Sequence, residues 1–306
     1  MIIVSMTTIP CRQKRLEENL ESILNQSYRF DKLVINIDDN LTEEDYAWYN
    51  KLKERDVRME INVCDHKWRS CNKLLPTIQK YPDAVVITVD DDIYYPKDCV
   101  FYLVKTYENN NDCIIAHEVQ PIIVENNKFV GYIDDFDVKL GIKCYGKYMS
   151  NCCLFPPRIF EGTDLFNYDK MMECTNGAHD ELWFWVNSVM NKIKTINLDY
   201  VLWFAYDIKT EWNNSEYRLC NINNTKLNDY NKLIIEKYGD RINKVLSEYK
   251  PIFYINKDNI YSFIYQFSRI VKYYSWCGIS VNIDGLTSGY QRMIIDFINS
   301  HTQSHA

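Results

Sequence analysis

Three consecutive acids, Asp90, Asp91 and Asp92, directly follow a short apolar run at 84–89. A nearly continuous run of apolar, β-branched residues is typical of a strand buried on both faces of a parallel sheet. Since side chains alternate between the faces of an extended chain, Asp90 and Asp92 can project to one side while Asp91 points away. Two converging carboxylates repel each other unless a cation lies between them, and a hard divalent ion prefers oxygen ligands. The pattern favours a metal and phosphate site with Asp90 and Asp92 as the metal ligands.

Helix capping is the alternative interpretation of these acids. A helix is predicted to start near 96–97, and one aspartate could cap it while a second interacts with its dipole. Three acids directly after a buried strand are more than capping requires. Ligands of open α/β sheets bind beyond the carboxyl ends of the strands, which is where these acids fall.

Further polar groups are expected at the same edge if the sheet is parallel. Thr7 and Arg12 follow the first predicted strand, and Asp38 ends the second. Arg69 and Lys73 lie near the start of a predicted helix, whose exposed N–H groups could hold a phosphate together with these cations. Taken singly, Arg69 and Lys73 are equally consistent with ordinary surface charge.

A second pair of acids, Asp180 and Glu181, opens a predicted helix that is rich in aromatic residues. Acids in the first turn also stabilise the helix dipole, so a purely structural role stays open. Gly177, just before them, would allow a ligand to approach the backbone closely. A carboxylate at the mouth of a nucleotide site could accept a proton from an attacking hydroxyl.

The elements that position these residues alternate along the first part of the chain. Strands are predicted at 2–6, 32–37, 59–63 and 84–89, and helices at 12–25, 42–54 and 72–80. Strand and helix alternating through 1–108 predict βαβ units and a largely parallel sheet. Neither a Gly-x-Gly-x-x-Gly fingerprint nor a Gly-x-x-x-x-Gly-Lys-Ser/Thr loop occurs, which argues against a dinucleotide oxidoreductase and a P-loop enzyme.

The pattern changes after residue 113. We predict strands at 113–117, 151–155 and 193–201, a hairpin joining 122–124 to 129–132, a loop bordering the site at 134–148, a helix at 179–191, an irregular segment at 205–226, and helices at 227–249 and 258–274. The last two helices would belong to a C-terminal extension rather than to the sheet.

Composition and charge exclude several classes of protein. The chain of 306 residues carries 42 acids against 35 lysines and arginines and has no long basic run, so nucleic-acid binding is not expected. Eleven scattered cysteines and no visible secretory signal indicate reduced, mostly buried thiols in a cytosolic protein. Cys64 and Cys71 do not have zinc-ribbon spacing, so we expect no structural zinc site. No apolar run approaches 18 residues, and no transmembrane helix is predicted.

Four short segments, taken in order, resemble those of bacterial glycosyltransferases of the GT-A fold. They are SMTTIPCR at 5–12, KLLPT at 73–77, VDDD at 89–92 and DELW at 180–183. An Asp-x-Asp motif alone is common, but the ordered set is more specific. The resemblance covers about residues 1–205 and implies a nucleotide-sugar-dependent transferase, of the hexosyl or N-acetylhexosaminyl class.

The resemblance also implies roles at the donor site. Asp90 and Asp92 would hold Mn²⁺ or Mg²⁺ against the donor diphosphate, where the ion acts as a Lewis acid on the leaving group. The residues implied around the nucleotide are Thr7, Arg12, Asp38, Arg69, Lys73, Asp90 and Asp91.

On the acceptor side, the resemblance implies a catalytic role for the second acidic pair. Asp180 would be the base of an inverting mechanism or would brace the sugar in a retaining one. The family often has Asp-Asp where this chain has Asp180 and Glu181, and His179 precedes them. Which acid acts, and whether His179 serves as a metal ligand, therefore stays open.

The implied fold is a GT-A type, Rossmann-like mixed and mainly parallel sheet flanked by helices. Residues 1–205 would form the transferase domain, with a nucleotide-binding half at 1–108 and an acceptor half at 109–205, and 206–306 a mainly helical extension. A UDP-sugar would donate to a glycan or lipid-linked glycan during surface polysaccharide synthesis, in the cytoplasm or at the inner face of the membrane. The alternatives are a metal-dependent nucleotidyltransferase, which usually has a basic Gly-rich loop after its first strand, and a non-catalytic carbohydrate-binding protein of the same fold.

Overall fold

The computed structural model describes most of the first 250 residues. The described residues are 1–120, 122–125, 128–132, 143–177, 179–198, 206–207 and 219–248. The helix predicted at 258–274 and most of the predicted C-terminal extension lie outside them. The division of the chain near residue 205 stays a prediction.

The first part of the chain has the predicted alternation of strands and helices. Its strands are β1 (Ile2–Thr7), β2 (Lys32–Asp38), β3 (Met59–Cys64), β4 (Val85–Val89) and the short β5 (Ile93–Tyr94). Its α-helices are α1 (Gln13–Leu24), α2 (Glu43–Leu52), α3 (Leu75–Lys80) and α4 (Cys99–Glu108), and short 3₁₀ helices lie at Pro10–Arg12, Lys53–Arg55 and His66–Lys73.

The second part is built from shorter strands and three helices. Its strands are β6 (Cys113–Ala116), β7 (Val119–Gln120), β8 (Ile122–Glu125), β9 (Lys128–Tyr132), β10 (Lys143–Cys144), β11 (Lys147–Tyr148), β12 (Cys152–Phe155), β13 (Lys194–Asn197) and β14 (Tyr206–Asp207). Its helices are α5 (Tyr168–Thr175), α6 (Asp180–Met190) and α7 (Leu219–Glu248).

An eight-stranded mixed sheet forms the centre, in the order β10-β13-β6-β12-β4-β1-β2-β3. Strand β1 pairs in parallel with β2 and β4, β2 with β3, and β13 with β6. Strand β12 runs antiparallel between β4 and β6, with Cys152 opposite Val89. The predicted mixed, mainly parallel α/β sheet is confirmed. Because β12 is antiparallel, its beginning meets the end of β4, and residues 150 and 151 lie at the same sheet edge as the acids.

The core lies between this sheet and the helices that cover it. Strand β4 is buried at each of its five positions, as its apolar run predicts. On α1, Leu16, Leu20 and Ile23 are buried at the predicted helical spacing. Thr42 caps α2 and forms a capping box with Asp45.

Helix α6 is buried on more than one face. Every residue from 182 to 190 is buried, including Asn187 and Ser188. Helices α5 and α7 both pack on α6. Neighbours on several sides explain why polar positions outside the stripe are also covered, with Asn187 and Ser188 donating to backbone carbonyls of the preceding turn.

Three expectations for local structure are wrong. Helix α3 starts at Leu75 rather than at 72, because 66–73 forms a 3₁₀ segment in which Arg69 has a positive φ of 48°. Of the predicted loop at 134–148, residues 134–142 lie outside the described residues, and 143–148 contains two-residue strands, β10 and β11, which pair with β13 and β7. Elements this short show no side-chain alternation in the sequence, so only their partners define them.

Helix α7 begins at Leu219, whereas the sequence predicts an irregular segment as far as 226. Asparagine has low helix propensity, but propensity is a weak determinant once a packed helix can propagate. Tyr230, Ile234, Tyr238 and Ile242 form a buried stripe four residues apart, and α7 packs on α5, α6 and β9. Among the described residues, no helix is both long and apolar enough to cross a membrane.

Candidate active site

Buried polar side chains on β1 and β2 fix the segment that carries Lys73. Ser5 Oγ donates to the Lys73 carbonyl at 2.7 Å and lies 2.6 Å from Thr77 Oγ1. Asn36 Nδ2 donates to Ser5 Oγ at 3.1 Å and to Thr77 Oγ1 at 3.0 Å. Because buried polar groups require partners, this network sets the position of α3 and its preceding turn on the sheet.

Asp90 is held through its backbone as well as its side chain. Its N–H donates to the Tyr95 hydroxyl at 2.8 Å, and its carbonyl accepts from Asn19 Nδ2 at 2.6 Å. The Tyr95 hydroxyl in turn donates to the Asn151 carbonyl at 2.5 Å. The turn after β4 is therefore tied both to α1 and to the start of β12.

Helix α1 and the residues just after it present a polar face to this turn. Ser22 Oγ accepts from the Tyr95 N–H at 3.1 Å, and Gln26 Nε2 donates to the Pro96 carbonyl at 2.8 Å. Together with Asn19 they are spaced three and four residues apart, which places them on one side of a helix. Sequence analysis missed these residues, and their uncharged polar spacing inside an apolar stripe was the available signal.

The middle acid, Asp91, has different partners from its neighbours. It accepts hydrogen bonds from Arg12 Nη1 at 2.6 Å and from Thr8 Oγ1 at 2.7 Å, and its side chain is 3% exposed. Burial raises the pKa of Asp91, although the Arg12 guanidinium opposes this. Arg12 Nη1 and Arg15 Nη1 each lie 3.8 Å from Asp92 Oδ2. Asp91 thus anchors Arg12, while Asp90 (27% exposed) and Asp92 (17% exposed) stay partly accessible.

The Lys73 ammonium joins the two acidic segments. Lys73 Nζ lies 2.6 Å from Asp90 Oδ1 and 3.3 Å from Asp180 Oδ2, and donates to Ser150 Oγ at 3.2 Å. Burial disfavours the charged amine, but the charges of Asp180, Asp90 and Glu181 outweigh burial and raise the pKa of Lys73 well above its usual value. The structure therefore brings the acids of β4 and of α6 around one cation.

Ser150, which the sequence analysis missed, connects the second acidic pair to the sheet. Its hydroxyl donates to Asp180 Oδ2 and its N–H donates to Glu181 Oε1, both at 3.1 Å. Its carbonyl accepts from Thr88 Oγ1 at 2.7 Å. A serine just before a short strand gave no signal in the sequence, because its place depends on β12 lying antiparallel to β4.

Asp180 and Glu181 have pKa values shifted in opposite directions. Burial tends to raise the pKa of Asp180, but Lys73 and hydrogen bonds more than compensate and lower it. Burial and repulsion from Asp180 raise the pKa of Glu181 to about 7, although Lys147, with Nζ 3.6 Å from Glu181 Oε2, opposes the shift. Pairs of acids with separated pKa values can take different roles in acid–base chemistry.

His179 lies at the N-cap of α6. Its Nδ1 accepts from the Leu182 N–H at 3.4 Å, and its ring packs edge-on against Tyr230. Burial and the nearby Lys147 lower the pKa of His179 to about 3, so the imidazole is neutral. In the described part of the chain, the ligand atoms of His179, Asp90 and Asp92 do not form a group within 4.8 Å of one another. A ligand role for His179 stays a prediction.

The remaining predicted nucleotide-site residues lie along the sheet edge. Asp38 Oδ1 accepts from Asn72 Nδ2 at 3.3 Å, and burial raises the pKa of Asp38. Thr7 Oγ1 donates to the Asn36 carbonyl at 3.1 Å. Lys73 is buried between carboxylates rather than beside exposed N–H groups of a helix. Its predicted contact with the nucleotide, like those of Thr7 and Asp38, is untested.

Gly177 has a structural explanation other than the predicted close approach of a ligand. It has a φ of 67°, and a Cβ added there would lie 2.9 Å from Met172 Sδ and 3.9 Å from Arg69 Cδ. Side chains of the protein fill the space beside it, and its backbone requires the left-handed region that favours glycine. Arg69 therefore lies next to the turn that leads into α6.

The comparisons with known proteins identify the first half of the chain. Residues 4–154 match the model of the family "Glycosyl transferase family 2". This segment is a family 2 glycosyltransferase domain of the GT-A fold. The predicted resemblance is thereby confirmed. The match runs from within β1 to within β12 and includes all three acids after β4, whereas Asp180 and Glu181 of this glycosyltransferase lie beyond it.

Two solved structures of TarS from S. aureus are similar to this glycosyltransferase. The crystal structure of TarS 1–349 in complex with UDP is 10% identical, with a TM-score of 0.43 over 86% of this chain and 78% of that one. A second TarS crystal structure is also 10% identical, with a TM-score of 0.43 over 77% of this chain and 42% of that one. No curated protein sequence matches the glycosyltransferase.

Proposed function

We propose that this glycosyltransferase moves a sugar from a nucleotide-sugar donor, a UDP-sugar, to a hydroxyl of a glycan or lipid-linked glycan, and that it requires Mn²⁺ or Mg²⁺. The observation that carries the proposal is the Lys73 ammonium between Asp90 and Asp180, at 2.6 and 3.3 Å. A donor-side acid at the end of the central strand and an acceptor-side acid at the start of α6 then belong to one site. Transfer requires the two substrates to meet in this way.

The donor set fits a hard divalent ion. Asp90 and Asp92 offer carboxylate oxygens and are partly exposed. Burial raises the pKa of Asp90, Lys73 opposes this, and the neighbouring charge of Asp92 raises it further. Asp91 is already engaged by Arg12 and Thr8 and fits an anchoring role better than a ligand role. A bound Mn²⁺ or Mg²⁺ would supply Lewis-acid stabilisation of the leaving nucleoside diphosphate.

Arg12 is positioned to contribute to donor binding. Its bond to Asp91 fixes the guanidinium, whose side chain remains 24% exposed beside Asp92. A planar guanidinium forms bidentate hydrogen bonds with phosphate oxygens, and fixing it beforehand lowers the entropic cost of binding. We therefore propose that Arg12 contacts the donor diphosphate.

On the acceptor side, we propose Asp180 as the group that takes the proton of the attacking hydroxyl. Its lowered pKa keeps it ionised at neutral pH, and its bond to Ser150 orients it. Glu181 faces the Ser150 N–H and Lys147 instead, so it supports the same turn. The hydrogen bonds of both acids to Ser150 keep this part of the site fixed relative to β12.

The proposal is tested by nucleotide binding and by donor turnover. We expect UDP to raise the melting temperature in the presence of Mn²⁺ much more than in its absence, and a UDP-sugar to release UDP. Asp92→Ala should abolish the metal-dependent shift without changing the far-UV spectrum, whereas Asp83→Ala, which removes an exposed acid paired with Arg158, should retain it.

The outcomes separate the alternative functions. Preferential binding of a nucleoside triphosphate with pyrophosphate release would indicate a nucleotidyltransferase instead. Binding of glycans without any effect of nucleotide or metal would indicate a non-catalytic carbohydrate-binding protein. A metal-dependent shift that survives in Asp92→Ala would remove the metal assignment.

A further inference from the structure

A buried group of two thiols and an imidazole lies behind the acidic turn. Cys99 is the first residue of α4, His117 directly follows β6, and Cys152 is the first residue of β12. Cys99 Sγ lies 3.0 Å from Cys152 Sγ and 3.7 Å from His117 Nε2, and the three ligand atoms lie within 4.8 Å of one another. The group consists of these two cysteines and this histidine.

The sheet register explains why the three side chains converge. Cys153 pairs with Ala116 in the antiparallel β12–β6 ladder, and the His117 N–H donates to the Cys152 carbonyl at 3.4 Å. Residues that are opposite each other in such a ladder project to the same face. Helix α4 packs on this face of β6 and β12, which brings in Cys99. Spacing in the sequence could not reveal the group, because its members come from three elements.

The imidazole supplies a second and independent observation. His117 is 7% exposed, its Nε2 is directed at Cys99, and its Nδ1 is buried with no hydrogen-bond partner in the described part of the chain. A buried polar atom without a partner is costly in a core. An imidazole that meets only a thiol through one ring nitrogen, has no partner at the other and takes no part in the acidic site calls for a function of its own.

We propose that Cys99, His117 and Cys152 bind Zn²⁺. Two thiolates balance the charge of the ion, so the buried site becomes neutral, and thiolate with imidazole is the ligand combination that zinc prefers. Three protein ligands leave one position of a tetrahedral ion for a small fourth ligand such as water. The proposal is independent of the proposed transferase activity and of the metal at Asp90 and Asp92.

The distances require only a small rearrangement. With Zn–S bonds of about 2.3 Å, tetrahedral geometry places two sulfurs about 3.8 Å apart and a sulfur and an imidazole nitrogen about 3.5 Å apart. The Cys99–His117 distance already fits, and the sulfurs must separate by less than about 1 Å.

The position of the site gives zinc a structural role. Cys99 ends the segment that begins with the acids, and Cys152 follows Asn151, whose carbonyl accepts from the Tyr95 hydroxyl. The same hydroxyl accepts from the Asp90 N–H. Zinc would fasten the segment that contains Tyr95 to the segment that contains Asn151, so its loss should loosen the turn that holds Asp90.

Cobalt substitution tests the proposal on the full chain. After chelator treatment under reducing conditions, we expect one equivalent of Co²⁺ to saturate an intense near-ultraviolet thiolate-to-metal charge-transfer band, which Zn²⁺ then bleaches. Zn²⁺ should also raise the melting temperature. Mn²⁺ or Co²⁺ bound to carboxylates produces no such band, so Asp92→Ala should retain it.

The matched control is the neighbouring cysteine. Cys153 projects to the opposite face of β12 and donates to the Met149 carbonyl at 3.0 Å, so Cys153→Ser should retain the band. Cys99→Ser and Cys152→Ser should abolish it, and His117→Gln should weaken Co²⁺ binding at least tenfold. If the serine variants do not fold, the titration of the unchanged protein decides. Absence of the band, its persistence in Cys99→Ser, or a Cys99–Cys152 disulfide in protein purified without reductant would overturn the proposal.

Discussion

The guanidinium of Arg12 donates to the carboxylate of Asp91 at 2.6 Å, across 79 positions of the sequence. Of the three consecutive acids, the middle one is thus the most deeply buried and serves to attach the segment after β1 to the turn after β4. The outer two are left accessible. The acidic run therefore combines an anchor with two accessible carboxylates, and the roles can be separated by mutation.

Asp91→Asn should destabilise the fold more than the same change at Asp92. The substitution weakens the hydrogen bonds to Arg12 and Thr8. A hydrogen bond to a charged group typically contributes about 2 kcal/mol to stability. We expect a loss of about 2–3 kcal/mol in the free energy of unfolding, measured by urea denaturation at pH 7. Asp92→Asn should change it by less than about 1 kcal/mol, since its nearest cations lie at 3.8 Å. Equal losses in the two variants would contradict the anchoring role.

Lys73→Met should lower stability at neutral pH by about 3–5 kcal/mol, because it leaves the buried Asp180 and the partly buried Asp90 without their cation. Lys73 holds the pKa of Asp180 below its usual value, so this interaction stabilises the fold above the unfolded pKa of about 3.9 and is lost as pH falls through the folded pKa. The loss measured by urea denaturation should therefore shrink below about pH 4.

A surface ion pair provides the control for Lys73. Lys170 lies 2.8 Å from Asp164, and both side chains are substantially exposed. Lys170→Met should cost less than about 1 kcal/mol. A similarly small effect of Lys73→Met at pH 7 would show that the buried pairs contribute little.

Glu181→Gln should remove a contribution to stability that decreases as pH rises, opposite in sign to that of the Lys73–Asp180 interaction. The folded pKa of Glu181 is about 7, above its ordinary value of 4.5, so the folded state holds the proton more tightly than the unfolded state. Wild-type stability should therefore decrease as pH rises from about 4.5 to 7, by at most about 3 kcal/mol from this group. Glu181→Gln removes that slope, which urea denaturation between pH 4.5 and 8 would detect. An unchanged slope would show that Glu181 is ionised throughout this range.

The β/α alternation of the first hundred residues was predictable because short stretches rich in apolar residues alternate with segments of helical periodicity. The edge at which Asp38 and Asp90 lie follows from that pattern alone, since parallel strands end together. The network around Ser150 was not predictable. It requires β12 to enter antiparallel beside β4, and four apolar residues carry no information on direction or on neighbours.

The sequence also could not show which of several possible partners a side chain contacts. The place of Lys73 near a helix start predicts phosphate binding, which stays untested, whereas its burial between Asp90 and Asp180 depends on the Ser5 and Asn36 network beneath it. His179 was a candidate metal ligand by its place next to two acids. A cap on α6 also explains that place, and spacing cannot distinguish the two.

Asn19→Ala should weaken donor binding through the backbone of Asp90, although Asn19 touches no predicted ligand. The change removes the bond from Asn19 Nδ2 to the Asp90 carbonyl and should cost about 1 kcal/mol of stability. Thr42→Ala, which removes the cap of α2, should cost a similar amount. Only Asn19→Ala should weaken Mn²⁺-dependent UDP binding by calorimetry, by at least a few fold. Equal affinities in the two variants would show that the α1 contact serves stability alone.

The pH dependence of UDP release from a UDP-sugar in the presence of acceptor distinguishes the two acids of α6. If Asp180 takes the proton, Asp180→Asn should reduce kcat by about 10²–10⁴, and kcat should show no ionisation near pH 7 that belongs to the base. Glu181→Gln should keep most of the activity and leave the fall of kcat at low pH (the acidic limb of the pH profile) unchanged, because Asp180 stays ionised beside Lys73. If Glu181 is the base, the acidic limb should lie near pH 7 in the wild type and disappear together with activity in Glu181→Gln, since the pKa of Glu181 is about 7. Comparison of the two variants at pH 6 and 8 under saturating donor therefore assigns the base, and full activity in Asp180→Asn would reject the role proposed for Asp180.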